Sequence, residues 1–255
     1  MGHLAIVQLL LEKGAAVDCR VSRNRQTPLS LAAESGHTAV IQLLLEKGAV
    51  IDSHGGSDGM TPLSFAASSG HIAVMQLLLE KGAAVDYQDD YGWTPLSRAM
   101  CQGHEDAVLL LLEKGAHVEA PRDTDRWIPH SLAASVESPG ISRLLLGNGA
   151  AVNARDKHYQ TPLSNAASSG HRGVMLLRDN GAAVDMKDHK GGTRLCIIPK
   201  HGCSDAARLL LENGVAVDIM DTQGQGPHSR VRQPHPEGAA VNEKDQINWT
   251  LLSGK

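Results

Sequence analysis

The residues with the widest chemical range in this 255-residue chain are its 13 histidines and 4 cysteines, and their spacing limits what they can do. Zinc needs imidazoles and thiolates converging on one tetrahedral point. His3, His37, His71, His104 and His171 recur at the same place in a repeated sequence block, so each belongs to a separate structural unit and they do not share an ion. His189, Cys196, His201 and Cys203 form the one mixed cluster, and its spacing matches no zinc-ligand pattern. Cys101 precedes His104 by three residues, an arrangement that could activate a thiolate, but no third group recurs nearby to orient the base. The run Gly55-Gly56-Ser57-Asp58-Gly59 lacks the Lys-Ser/Thr ending of a phosphate loop and reads as a flexible turn. The expectation is therefore a protein without catalytic residues, metal or cofactor.

Composition narrows the field further. Lys and Arg number 24 against 28 Asp and Glu, a net charge of −4, which leaves no broad positive surface for nucleic acid or anionic lipid. The longest apolar runs, such as Leu109 to Leu112, fall far short of the roughly 20 residues of a membrane-spanning helix. Cys19, Cys101, Cys196 and Cys203 are too few and too scattered for a disulfide framework and suit a reducing compartment, so cytoplasm or nucleus is expected. The start lacks a basic region ahead of its apolar stretch, which argues against a secretory signal.

The elements that position these residues are set by repetition. Thr-Pro-Leu-Ser occurs at Thr27, Thr61, Thr94 and Thr161, with altered copies at Ile128, Thr193 and Gly226, giving steps of 34, 33, 34, 33, 32 and 33 residues. A second block, Leu-Leu-Leu-Glu-Lys-Gly-Ala or a near copy, ends at Gly14, Gly48, Gly82, Gly115, Gly149, Gly181 and Gly214, in phase with the first.

Residues 61–94 predict the local structure of one unit. Thr61 is placed to cap a helix, and Pro62 at the first helical position has no amide to leave unpaired. Leu63, Ala66 and Ala67 give that short helix a narrow apolar face, and Gly70 can take the left-handed conformation that stops it. Val74, Met75, Leu77 and Leu78 then recur at helical spacing up to Gly82. Residues 83–93 are turn-rich and predict a projecting hairpin-like finger. Two helices this short are marginal alone, so neighbouring units must stack and share a core of Ala, Leu, Val and Ile. The 3% aromatic content fits such narrow gaps.

The recurring Asp-x-x-Gly-x-Thr-Pro-Leu, Ala-Ala, Gly-His, Leu-Leu and Gly-Ala blocks resemble the ankyrin repeat over nearly the whole chain. The resemblance implies an all-α solenoid of stacked helix-turn-helix units with projecting β-hairpin loops. Residues 1–20 match only the second helix and loop of a unit, as in a fragment; 21–219 hold six repeats; 220–255 are degenerate and partly irregular. Neither end carries the polar face of a capping repeat, so terminal apolar surface is expected. Ser138-Pro139 can still open a helix in the distorted fourth unit, whereas Pro199 inside a first helix of the sixth should kink or shorten it at a cost of about 3 kcal/mol. Ser30, Ser64, Ser97, Ser131 and Ser164 stand where the family commonly has His, which puts inter-unit hydrogen bonding in question.

The resemblance also implies a non-catalytic scaffold or adaptor that binds a protein partner through its concave groove and hairpin tips. Six of seven aromatics lie in loops: Tyr87, Tyr91, Trp93, Trp127, Tyr159 and Trp249. Trp and Tyr supply large anchors with little entropy to lose. The expected binding centre is Trp93 and Trp127 on adjacent fingers, with Asp90, Tyr91, Arg98, Gln102 and Asp125 around them. A tryptophan at that position can instead pack over the next finger as part of the stack. The competing reading of the chain is a structural spacer, or a decayed fragment of a larger signalling protein, with no partner of its own. A monomer is expected.

Overall fold

A computed structural model describes residues 3–20, 24–118, 138–155, 161–163, 177 and 179–183. The described residues form eight helices: α1 (His3–Glu12), α2 (Pro28–Glu34), α3 (Thr38–Glu46), α4 (Pro62–Ser69), α5 (Ile72–Glu80), α6 (Pro95–Cys101), α7 (Glu105–Glu113) and α8 (Pro139–Gly147). They fall into two rows. The first helices α2, α4 and α6 pack side by side; the second helices α1, α3, α5, α7 and α8 do the same; and α2, α4 and α6 each pack on the second helix that follows.

Each first helix begins as its sequence predicts. Thr27, Thr61 and Thr94 have extended backbone, and their Oγ1 atoms accept from the amides of Ser30, Ser64 and Ser97 at 3.3, 3.2 and 3.2 Å. At Thr27 the exchange is reciprocal, because its own amide donates to Ser30 Oγ at 2.9 Å. Ser30, Ser64 and Ser97 thus spend their hydroxyls inside their own caps, and Ser131 and Ser164 lie outside the described residues. Gly70 closes α4 in the left-handed conformation (φ 71°). Ser138 caps α8 by accepting from Ile141 N at 3.2 Å, with Pro139 at the first position.

The core runs between the rows. Ala33, Ala66, Ala67 and Ala99 are fully buried, and their small side chains let the helices approach while Ile41, Leu44, Met75, Leu78, Val108, Leu111, Ile141 and Leu145 fill the space from the second helices. One cluster of buried side chains spans from Leu29 to Ala150. On α1, by contrast, Ile6, Leu9 and Leu10 are 54–57% exposed.

Inter-unit hydrogen bonds come from other residues than the serines. His71 Nε2 donates to Glu34 O at 3.0 Å and His104 Nε2 to Ser68 O at 3.1 Å, each ring lying against the glycine that ends the preceding inter-helix turn. A second ladder uses carboxylates: Asp18 accepts from Val50 N, Asp52 from Ala84 N and Asp86 from His117 N, while Asn153 Oδ1 accepts from Ala183 N. Both ladders satisfy backbone groups that a short helix and a turn would otherwise leave open.

The described fingers carry little β structure. Gly55 and Met60 form an isolated antiparallel bridge, with Gly55 N donating to Met60 O at 2.9 Å. The glycine-rich stretch is packed rather than loose: a Cβ at Gly55 would lie 2.8 Å from Arg25 O, and Gly59 (φ 68°) lies against the Asp90 carboxylate. Pro199, the mixed cluster His189, Cys196, His201 and Cys203, and the degenerate stretch 220–255 lie outside the described residues.

Candidate partner-binding surface

The third finger, residues 86–94, is built around one carboxylate. Asp89 has a fully buried side chain; its Oδ1 accepts from Tyr91 N at 2.9 Å and Trp93 N at 2.8 Å, and its backbone closes the turn through Asp89 N to Trp93 O at 3.0 Å and Gly92 N to Asp89 O at 2.8 Å. These local bonds are what an aspartate in a turn is suited to make. Its other oxygen, Oδ2, accepts from Arg98 Nε at 3.0 Å and from Nη2 of the same guanidinium, which brings the finger down onto α6.

Arg98 does more than hold its own finger. Its Nη2 also reaches Asp58 Oδ2 of the preceding finger at 3.4 Å, and its guanidinium carbon lies 5.2 Å from the centre of the Trp93 ring. A backbone bond from Asp90 N to Asp58 O at 2.9 Å joins the same two fingers. The first finger is braced similarly, by Gln26 Nε2 donating to Glu34 Oε2 at 2.8 Å.

The predicted site residues therefore divide. Tyr91 stands at the tip, 55% exposed; Asp90 is exposed next to it in the chain, and Cys101 and Gln102 are exposed at the C-terminal end of α6. Trp93 is half-buried and packs against the core, and Arg98 is committed to Asp89 and Asp58. The position of Trp93 one residue before the cap is inward in the other described fingers too, where Gln26 and Met60 are buried. Asp125 and Trp127 lie outside the described residues. Tyr87 is used within the stack, its ring parallel to that of His54 at 6.4 Å.

Sequence reasoning missed Asp58 and Asp89 as members of this cluster. Their partner Arg98 is 40 and nine residues away, distances that carry no helical or strand period. Among the described residues no group of three or more His, Cys, Asp or Glu side chains comes together as a metal site, and no helix is long and apolar enough to cross a membrane.

The sequence model of the family described as "Ankyrin repeats (3 copies)" matches residues 1–55, 50–122 and 130–221. A curated relative from Saccharomyces cerevisiae, named "Probable 26S proteasome regulatory subunit p28", is 42% identical over 73 residues; that match covers 28% of this chain, which spans about a third (32%) of that relative's length. Among solved structures, the human ASB11 ankyrin repeat domain superposes with a TM-score of 0.76 at 24% identity, over 87% of this chain and 97% of the other, a likeness of fold.

Proposed function

The chain belongs to the ankyrin-repeat family, and from that premise we propose that it is a non-catalytic scaffold whose finger tips and first helices hold a protein partner. The ankyrin fold is typically an interaction module, so a protein partner is the class the family supports. The yeast relative is itself named as a subunit of a protein assembly, and this agrees with that class without extending the assembly to this chain.

One observation carries the placement: an exposed Tyr91 rises from a finger that Asp89, Arg98 and Trp93 hold rigid. Rigid support of an aromatic tip lowers the entropy lost on binding. The site is centred on Tyr91, with Asp90 next to it in the finger, Trp93 and Arg98 as its foundation, and Gln102 at the far end of α6. On their sequence positions alone, Asp125 and Trp127, which lie outside the described residues, are proposed as further members of the site. The partner meets it inside the cell, with the chain as a monomer.

A photo-cross-linking amino acid in place of Tyr91, Gln102 or Gln42 tests this. Gln42 is exposed on the opposite row of helices and serves as the control. In a native cell extract, positions 91 and 102 should capture the same protein species and position 42 should not. Absence of capture at 91 and 102 favours a spacer, and equal capture at all three positions removes the assigned surface.

A further inference from the structure

Among the described residues, the row of second helices carries a repeated polar pair that is broken on α7 and α8. Equivalent positions of the repeat hold Gln8 and Glu12 on α1, Gln42 and Glu46 on α3, and Gln76 and Glu80 on α5. The first two pairs are hydrogen-bonded, at 3.0 and 3.3 Å, and so cover the helix surface with polar groups. On α7 the glutamine is replaced by Leu109, which is 40% exposed. On the adjacent α8 the glutamate is replaced by Gly147, where an added Cβ would meet nothing within 4 Å.

The two replacements face one groove of about 460 Å³ between α7 and α8. Leu109 and the half-buried Leu144 supply its apolar lining, Glu105 and Asp106 line the end formed by the start of α7, and Arg143 lines the other wall. At the corresponding positions α1, α3 and α5 carry glutamine and glutamate in place of the leucine and glycine found here. Glu105, whose Oε1 accepts from Ser138 Oγ at 2.7 Å, and Asp106 stand against the one guanidinium of Arg143, which leaves the groove net negative beside an exposed leucine. We infer that this groove docks a segment of a partner protein that presents one aliphatic side chain, flanked by lysine or arginine, to Leu109 and to the carboxylates of Glu105 and Asp106. This site is distinct from the finger surface and does not depend on it.

The test uses the full chain and three synthetic peptides of about 15 residues, long enough for partial helix. The first has a central leucine with lysines one turn to either side, the second replaces the lysines by glutamate, and the third replaces the leucine by serine. Binding is read by amide chemical-shift changes in α7 and α8. The lysine–leucine peptide should bind, and both altered peptides should bind at least about tenfold more weakly. The variant Leu109→Gln with Gly147→Glu restores the residues of the regular units, so it keeps the fold. It also adds a negative charge: nonspecific attraction of a basic peptide would be retained or strengthened, whereas docking in the groove should be lost. Retained binding in that variant, equal binding of the three peptides, no binding of any, or self-association of the chain that the same variant abolishes would each overturn the inference.

Discussion

Asp89 holds two backbone amides and a guanidinium with one buried carboxylate, so its removal strands three donors at once. Each buried donor left open costs about 1–3 kcal/mol, and breaking a buried pair about 3–5 kcal/mol. Asp89→Ala should therefore destabilise the third finger by about 3 kcal/mol or more, read as a lower urea midpoint of the Trp93 fluorescence change. Arg98→Ala is expected to cost less, because that side chain is 19% exposed and water can replace part of its contacts. The double variant should cost less than the sum, since both remove the same interaction. Strict additivity would show that the two residues do not act together. Tyr91→Ala touches none of these bonds through its side chain and should leave stability within about 0.5 kcal/mol, as for an exposed residue.

Helix ends show where local chemistry decides an element and where a neighbouring unit adds to it. Gly70 (φ 71°) and Gly82 (φ 90°) both need the left-handed conformation, which costs another residue roughly 1–2 kcal/mol. Around Gly82 there is open space, whereas a Cβ at Gly70 would lie 2.8 Å from His104 Nδ1. Gly70→Ala should thus destabilise more than Gly82→Ala in chemical denaturation; equal losses would show that the His104 ring yields freely. Thr94→Ala should cost about 1 kcal/mol through loss of the cap on α6. The caps, the paired helices and their stacking could all be read from the sequence, because each depends on residues within one turn or on the fixed period. The brace of Arg98 could not, because its partners Asp58 and Asp89 come from two fingers with no shared spacing. Asp52 and Asp86 illustrate a subtler limit: an aspartate in a turn can bond its own backbone, as Asp89 does, or the next unit's, as these two do, and local sequence does not separate the alternatives. The inward lie of Trp93 belongs to the same class, since it follows from the ring finding Arg98 above it and the core below.

At the scale of the molecule, stability comes from unit-to-unit coverage in place of one globular centre. Leu10, Leu44, Leu78 and Leu111 occupy the same position in α1, α3, α5 and α7, yet the last three are 0–1% exposed and Leu10 is 54% exposed. Helix propensity and local sequence are nearly the same at all four, so the difference isolates what neighbouring helices contribute. Burial of a leucine side chain is worth about 1.5–3 kcal/mol, and truncating it in a packed core costs about 2–5 kcal/mol. The measurement that tests this most directly is the loss of unfolding free energy for leucine-to-alanine changes at these four positions. Stacked repeats predict losses of about 2–5 kcal/mol at Leu44, Leu78 and Leu111 and below about 1 kcal/mol at Leu10; a loss at Leu10 equal to the other three would contradict the account.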